Sequence, residues 1–562
     1  MTHFETMSER PPLRFWGWGY EAEQLSEEES ASIEATVKML IPQGGIEVPP
    51  PQLEDFDLPS PRQAVPEQFQ EYVSTLPYDR LVHSYGKSYA DMVRMFMREV
   101  EHAPDWVAFP KSEKNISDII AYAEANNMAV IPFGGGTSVC GGVEADVGQA
   151  YAATISLDMQ HFNRILEVDT ESRAALIEGG MLGPDLEAGL KEYGYTLRHY
   201  PQSFRFSTLG GWIATRAGGH FATQYTHIDD FVESTRVVTP SGVMESRRLP
   251  GSGAGPSPDR MVIGSEGTLG VITQAWVRLQ QRPKWKVSAT VTFDSMKEGV
   301  EAVRLISQAG LFPSNCRLLD EMEVQWNGLA TEACAMLVLG FESADHSLEA
   351  WMERALAITA ENGGHYKKED IVYSSEKSAK DKSSETSADT WRNAFIRMPY
   401  YRNMLVGHGI IVDTFETAIT WDKFDALYTG VKAGIQQAIV ELTGEQGMVS
   451  CRFTHIYPDG PAPYFTFLLV GDTTGKLENA LQKWRSIKSV ANKLVVSLGG
   501  TSTHHHAVGR DHRSGYEKQT SDLFRHAFTA AKAALDPEGI FNPGVLIDPR
   551  GKAVGITGVM GE

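Results

Sequence analysis

The chain has 562 residues, 42% hydrophobic and 22% charged, with a formal net charge of −21. That length calls for about two to four domains with ample cores, and the acidic balance argues against general nucleic-acid binding, which needs a basic face. The four cysteines (Cys140, Cys316, Cys334, Cys451) form no CxxC pair or disulfide framework, and no apolar run reaches the ~20 residues of a membrane span. The opening Met1-Thr2-His3-Phe4-Glu5 reads as no signal peptide, and the closing Gly558-Val559-Met560-Gly561-Glu562 as no S-K-L address. The expected setting is cytoplasmic.

Residues 1–80 read as an N-terminal extension. It holds an aromatic knot, Phe15-Trp16-Gly17-Trp18-Gly19-Tyr20, expected to pack on the main body. An acidic helical stretch (Glu21 to Leu40) and a connector with Pro49, Pro50, Pro51, Pro59, Pro61 and Pro66 follow. Residues 81–283 read as the next domain, and from Pro104 the pattern is α/β. Val107-Ala108-Phe109 predicts a strand. Ser112 is placed to cap a helix through Asn126, with Ile116, Ile119, Ile120 and Ala123 at helical spacing. Ala129-Val130-Ile131 then predicts a strand that runs into Pro132-Phe133-Gly134-Gly135-Gly136-Thr137-Ser138. Strands are expected within Tyr151 to Gly180 and a helix over Leu182 to Tyr193. Val232 to Glu245 predicts two strands about a Thr239–Gly242 turn, and Val271 to Leu279 a closing strand.

Glycines permit positive φ and let main-chain N–H groups approach a ligand, so the first bare loop suits an anion such as a diphosphate. The plain alternative is a tight turn beside a helix. The loop is neither G-x-G-x-x-G nor G-x-x-x-x-G-K-[ST], which disfavours a nicotinamide site or a triphosphatase. Ser207-Thr208-Leu209-Gly210-Gly211-Trp212-Ile213-Ala214-Thr215 and Gly264-Ser265-Glu266-Gly267-Thr268-Leu269-Gly270-Val271-Ile272-Thr273 are two further small, hydroxyl-bearing loops. Three such loops point to one extended cofactor, with a flavin dinucleotide as the first choice.

Residues 284–500 read as a second domain. Strands are expected at Val287–Phe293, Cys316–Asp320 and Ala335–Phe341, with helices over Met296–Ala309 and Leu348–Asn362. Together they suggest an antiparallel sheet with helices on one face. The polar run 374–389 reads as a surface loop. Cys451 to Phe467 predicts a hairpin in which Tyr464 starts an alternating strand. A strand tyrosine alone is usually a core or rim residue. Arg317 and Arg402 sit in apolar settings, where an unpaired charge is costly, so each needs a carboxylate or an anionic ligand. Asp320 is a candidate partner for Arg317. Val495 to Ser502 reads as a strand running into a turn. In the extended segment that follows, His504 and His506 would share one face and His505 the other. Such imidazoles can move protons near neutral pH, bind an anion or ligate a metal. No Cys, Asp or Glu spacing nearby supports a metal, which ranks below acid–base work. Residues 501–562 form a C-terminal segment with one amphipathic helix expected over Arg513 to Leu535.

The three loops, with Asp536-Pro537-Glu538-Gly539-Ile540-Phe541-Asn542-Pro543-Gly544, resemble the FAD domain of the vanillyl-alcohol oxidase/p-cresol methylhydroxylase flavoproteins. The resemblance covers Pro104 to Arg282 and that C-terminal return. It implies an α+β fold, a two-subdomain FAD-binding domain plus a cap domain with an antiparallel sheet flanked by helices. It implies that FAD contacts Pro132, Phe133, Gly134, Gly135, Gly136, Thr137, Ser138, Gln202, Ser203, Ser207, Thr208, Gly211, Thr215, Arg216, Ala217, Gly218, Gly264, Ser265, Glu266, Gly267, Thr268, Leu269, Gly270 and Ile272. The first loop carries no His, the residue that binds FAD covalently in some members, so non-covalent FAD is implied.

Further residues look like the alkyldihydroxyacetone-phosphate synthase branch. These are Trp16 to Tyr20, His199 through Gly218, Arg402 with Phe415-Glu416-Thr417 and Trp421-Asp422, Tyr464, and His504-His505-His506. That likeness implies exchange of the acyl group of acyl-dihydroxyacetone phosphate for a fatty alcohol, with no net redox change. It implies Tyr464 and the three histidines as catalytic, Arg402 and Arg317 as substrate-binding, and no metal. It further implies lipid substrates, peripheral membrane contact and a homodimer. An FAD-dependent oxidase or dehydrogenase of a 2-hydroxy acid such as D-lactate or glycolate is the alternative.

Overall fold

The computed structural model describes residues 10–375, 399–549, 551, 552 and 554. The remainder of the polar run, from 376 onward, lies outside the described residues, as do the last eight residues. Three main sheets organise the chain.

The first sheet orders Val73–Ser74, Trp106–Ala108, Ala153–Asp158 and Met128–Phe133, the last three mutually parallel. The helix Glu113–Ala125 is capped by the Ser112 hydroxyl, which accepts from Asn115 N, and buries Ile116, Ile119, Ile120 and Ala123 as its spacing requires. Phe133 ends its strand, and the chain bends through Gly134 to Gly136. The second sheet is antiparallel, in the order Ile165–Asp169, Ala174–Glu178, Val271–Arg278, Val232–Thr239 and Gly242–Glu245.

The third sheet has seven antiparallel strands. Their order is Val372–Ser375, Trp285–Phe293, Ala335–Ser343, Asn315–Leu319, Met448–Ile456, Pro461–Val470 and Ile410–Glu416. Helices Met296–Gln308, Glu349–Glu361, Trp421–Thr443 and Leu477–Ser497 share one apolar core with this sheet. Side chains alternate along a strand. Phe465 and Phe467 therefore enter that core, while Tyr464, Thr466 and Leu468 line a cavity on the opposite side. These strands and helices match the α+β expectation.

Three local expectations need correction. Val495-Val496-Ser497 is the end of the helix Leu477–Ser497, not a strand. Leu481, Trp484, Ile487, Lys488, Ala491 and Val495 hold helical spacing over several turns, which outweighs the β preference of two valines. The tail is two helices, Arg513–Gln519 and Asp522–Leu535, because the Ser521 hydroxyl caps a fresh start by accepting from Phe524 N. The acidic N-terminal helix begins at Glu27, where Ser26 and Glu29 form a reciprocal capping box.

The aromatic knot packs inward as expected. Trp18 meets Phe206 and Trp16 meets Phe96, and the buried Lys87 ammonium donates to the Arg14 carbonyl at 2.9 Å. The C-terminal return also forms. Val130 N donates to Ile540 O at 2.8 Å and Asn542 N to Val130 O at 2.9 Å. The Asn542 amide then donates to Gly142 O and Glu266 O, tying the first glycine loop to the third. Among the described residues no helix is long and apolar enough to cross a membrane.

Candidate active site

A cavity of about 1110 Å³ runs between the first two sheets' loops and the bare face of the seven-stranded sheet. One wall is main chain. Pro132 to Ser138, Gln202, Ser203, Ser207, Thr208, Gly211, Thr215, Ala217, Gly218, Glu266, Gly267, Gly270 and Ile272 all line it. The lack of side chains there is a packing requirement. A Cβ on Gly135 would lie 1.7 Å from Phe206 O, and one on Gly134 2.4 Å from Thr208 Oγ1. The first loop thus rests directly on the second, leaving a shallow, bare wall that fits the diphosphate and ring system of FAD.

Five of the residues expected at the cofactor do not line this cavity. Arg216 turns outward to pair with Asp229 at 3.2 Å. Gly264 packs its α-carbon against that arginine's stem. Ser265 and Thr268 close their own turn, the Thr268 hydroxyl donating to Ser265 O at 2.7 Å. Leu269 is buried. Glu266 lines the cavity, but its carboxylate accepts from Val508 N (2.8 Å) and Gly509 N (2.7 Å), which clamps the segment after the histidine triplet. Burial pushes its carboxyl up to about 7.

The opposite wall carries the reactive side chains. Antiparallel register sets Glu416, Tyr464 and Arg452 side by side across three strands. The buried Tyr464 hydroxyl donates to Thr414 Oγ1 at 2.9 Å, and the Arg452 guanidinium lies 4.3 Å from its ring centre. Burial raises the phenol's pKa, against the pull of Arg452, so it rests protonated. His505 stacks on the Tyr464 ring (centroids 6.0 Å) and His506 meets it edge-on (5.6 Å).

The triplet is not an extended segment. It bends around the buried Glu416 carboxylate, which accepts from His504 N (2.6 Å), His505 N (3.1 Å), His506 N (3.0 Å) and the Thr503 hydroxyl (2.6 Å). The expected alternation therefore fails. His505 and His506 both line the cavity, and His504 turns away to Tyr457 and His227. Burial works against ionisation of Glu416, but attraction to His505, His506 and His504 and the Thr503 hydroxyl hold its carboxyl well below the usual range.

A bulge between Phe453 and His455 lets Thr454 and His455 both reach the cavity. His455 Nε2 donates to Gly219 O at 2.8 Å, and its Nδ1 is buried without a hydrogen-bond partner. Nitrogens of His455, His504 and His505 lie within 4.8 Å of one another, a grouping that could hold a metal ion. However, His504 Nδ1 and His505 Nδ1 are 2.9 Å apart. Two imidazoles on one tetrahedral zinc would sit about 3.3 Å apart, so in this arrangement the two rings are within hydrogen-bond reach of each other. A Cβ on Gly218 would lie 3.3 Å from His505 Cβ, so the cofactor loop abuts this imidazole cluster directly.

The arginines find different partners. Arg317 Nη2 donates to His220 Nδ1 at 2.8 Å. Asp320 instead caps the helix Glu321–Trp326 and pairs with Lys432. Burial, helped by Arg452, pushes the Arg317 guanidinium down to about 9, still charged at neutral pH. Arg402, in the helical segment 399–407, lies 3.4 Å from Asp413, and Lys488 approaches the same carboxylate at 3.4 Å. Two cations on one carboxylate leave a net positive wall, suited to phosphate. Asp413, Lys488 and His220 were not singled out from sequence, and Glu416 and His455 only as members of longer runs, without a role. For Lys488, a charge on the buried stripe of an amphipathic helix was an available signal.

Burial also pushes the imidazoles of His199 and His506 down to about 3, against 6.5 in a free side chain. The unfolded chain then binds more protons than the folded one below pH 6.5. Stability is fully present above that value and falls as the pH drops toward 3. At pH 5 the expected loss is about 2 kcal/mol for each of these two imidazoles. Ring proton shifts of His199 and His506 between pH 7 and pH 5 check it, and a ring that titrates near 6.5 is not held neutral. The urea midpoint also carries the opposing gain from the buried carboxyls Glu266 and Asp511, pushed up to about 7.

Comparisons with known proteins agree with this layout. Residues 104–246 match the family described as FAD binding domain, and residues 282–546 that described as FAD linked oxidases, C-terminal domain. Alkyldihydroxyacetonephosphate synthase of Trypanosoma brucei brucei is 30% identical over 84% of this chain and 77% of its own. The Dictyostelium discoideum enzyme of the same name is 29% identical over 89% and 84%. A solved alkyldihydroxyacetonephosphate synthase structure superposes with a TM-score of 0.77 over 94% of this chain and 98% of that one, at 24% identity. p-Cresol methylhydroxylase shares the fold at TM-score 0.64 and 13% identity, over 93% and 98%. FAD is the cofactor these matches share with the bare-walled cavity, and the chain belongs to the alkyldihydroxyacetonephosphate synthase family of FAD-linked flavoproteins.

Proposed function

We propose that this protein exchanges the acyl group of acyl-dihydroxyacetone phosphate for a long-chain alcohol, forming an ether-linked glycerone phosphate. The observation that carries the reading is the composition of one cavity. Its lining joins Tyr464, His505 and His506 to the cations Arg317, Arg402 and Lys488, and adds Ile33, Met39, Met322, Trp326, Leu405 and Leu468. Burial is worth about 0.8 kcal/mol per methylene, so such a lining favours a long chain over a two- or three-carbon hydroxy acid.

Bound FAD supplies an electron-poor ring that can accept and return an electron pair without net redox change. The protein's own groups do the rest. Arg402 and Lys488, which share the Asp413 carboxylate among the described residues, hold the phosphate. Tyr464 acts as a base at the carbon that loses the carboxylate once its own proton has passed to a neutral imidazole of the cavity, and it returns the proton it takes there, with Arg452 stabilising the phenolate. Arg317 and His505 meet the departing carboxylate. The apolar residues exclude water, which would otherwise compete with the alcohol. Exposed Met39 (59%) and Met322 (38%) at the cavity's outer lining support docking on a lipid surface.

Incubating the purified yellow protein with acyl-dihydroxyacetone phosphate and hexadecanol should release one fatty acid per ether formed, with the flavin oxidised at the end. Absence of fatty acid, together with anaerobic bleaching by D-lactate or glycolate, would replace this reading with hydroxy-acid oxidation.

A further inference from the structure

The imidazole hydrogen bonds do not stop at the cavity wall. His505 lines the cavity. Its Nδ1 lies 2.9 Å from His504 Nδ1, and His504 Nε2 lies 3.0 Å from the Tyr457 hydroxyl. That hydroxyl also meets His227 Nε2 at 2.8 Å, and the two imidazole Nε2 atoms are 3.2 Å apart. Tyr457 in turn lines a second cavity of about 400 Å³, whose rim carries the exposed Thr420, Lys423 and Asp459. Neither His504 nor Tyr457 lines the main cavity. Substrate contact therefore does not account for their arrangement.

We infer that His505, His504 and Tyr457, with His227 beside them, form a proton relay from the main cavity to the second, solvent-facing one. The relay rests on the proposed exchange, whose balance releases one proton. The alcohol's O–H bond breaks, and its oxygen bonds to the glycerone carbon. The ester oxygen's bond to that carbon breaks, and its electron pair leaves with the carboxylate. The alcohol's proton is left over in each turnover, and leaves either with the carboxylate as fatty acid or along a separate path, for which the relay is placed.

A neutral imidazole suits the task because it carries one N–H and one lone pair. A proton taken at one nitrogen is matched by one released from the other, and the ring stays in place. Burial holds His504 and His505 below their ordinary range, and so neutral at rest. Glu416 Oε2, 3.5 Å from His505 Nδ1 and 3.9 Å from His504 Nδ1, steadies the passing positive charge. The Tyr457 hydroxyl both accepts and donates, and is the last link before the second cavity, which Tyr457 lines.

The test uses the FAD-loaded protein and Tyr457→Phe, which keeps the ring and removes the link. The expected result is a kcat lowered about a hundredfold, the low end of what proton-transfer groups contribute, with KM for the acyl substrate and FAD content unchanged. Imidazole buffer should restore the rate, since a small base can enter the second cavity and take over from the hydroxyl. Unchanged kcat in dilute buffer, or a loss that imidazole does not repair, overturns the relay. A second readout does not depend on turnover. In histidine-labelled holoprotein, Tyr457→Phe should shift the imidazole N–H resonances of both His504 and His505. A His505 signal that ignores the substitution overturns the relay. If the unmutated protein releases no fatty acid, the exchange reading fails, while this resonance still decides whether the hydrogen-bonded chain exists.

Discussion

Tyr464→Phe is expected to give a folded, yellow protein whose turnover is lower by about 10²–10⁴-fold, the usual contribution of a positioned proton-transfer group. The ring stays between Arg452 and His505, so packing is preserved. The variant loses one buried hydrogen bond to Thr414, worth about 1 kcal/mol. Stability and catalysis thus separate cleanly. A thermal melt and the visible flavin spectrum should be nearly unchanged, while fatty-acid release collapses. Turnover within a few-fold of the parent would remove the phenol from the chemistry and leave the proton step to the imidazoles.

Gly135→Ala should abolish FAD retention. The new methyl would sit 1.7 Å from the Phe206 carbonyl oxygen and 3.1 Å from Ser207 Cα. Both are backbone atoms, so no side-chain rotation relieves the clash and the two loops must separate. Overpacking of this kind typically costs about 1–3 kcal/mol, and here the displaced loops are the cofactor wall itself. The purified variant should be colourless and should not quench added FAD fluorescence. Gly253→Ala is the matched control, since its Cβ meets nothing within 4 Å, and it should stay yellow. A folded, yellow Gly135→Ala protein would place the cofactor elsewhere.

Much of this architecture is legible in the chain. Strands and helices with unbroken periodicity, such as Trp285–Phe293 and Glu113–Ala125, lie where their spacing puts them. The bare loops and Tyr464 also converge on one cavity, as their resemblance implies. What escaped has two physical causes. Some errors are local contests, such as two valines ending a long helix, or Ser521 restarting one. Others belong to the tertiary structure. Nothing near His504 in sequence announces Glu416, whose approach depends on strand order in a seven-stranded sheet. Likewise, Arg317 pairs with His220 rather than the nearby Asp320 because Asp320 lies past the strand end, where it caps the next helix and pairs with Lys432. The bulge that aims His455 leaves no mark in composition.

The Glu416 carboxylate hydrogen-bonds the main-chain amides of 504, 505 and 506, while the rings stand farther off at 3.5 to 3.9 Å, so the loop is placed chiefly by contacts that any side chain there would keep. The perch and its occupants are separable. Substituents at these three positions can be swapped one at a time, by drift or by design, without relocating the loop. Conversely, a single change at Glu416 would disperse all three together.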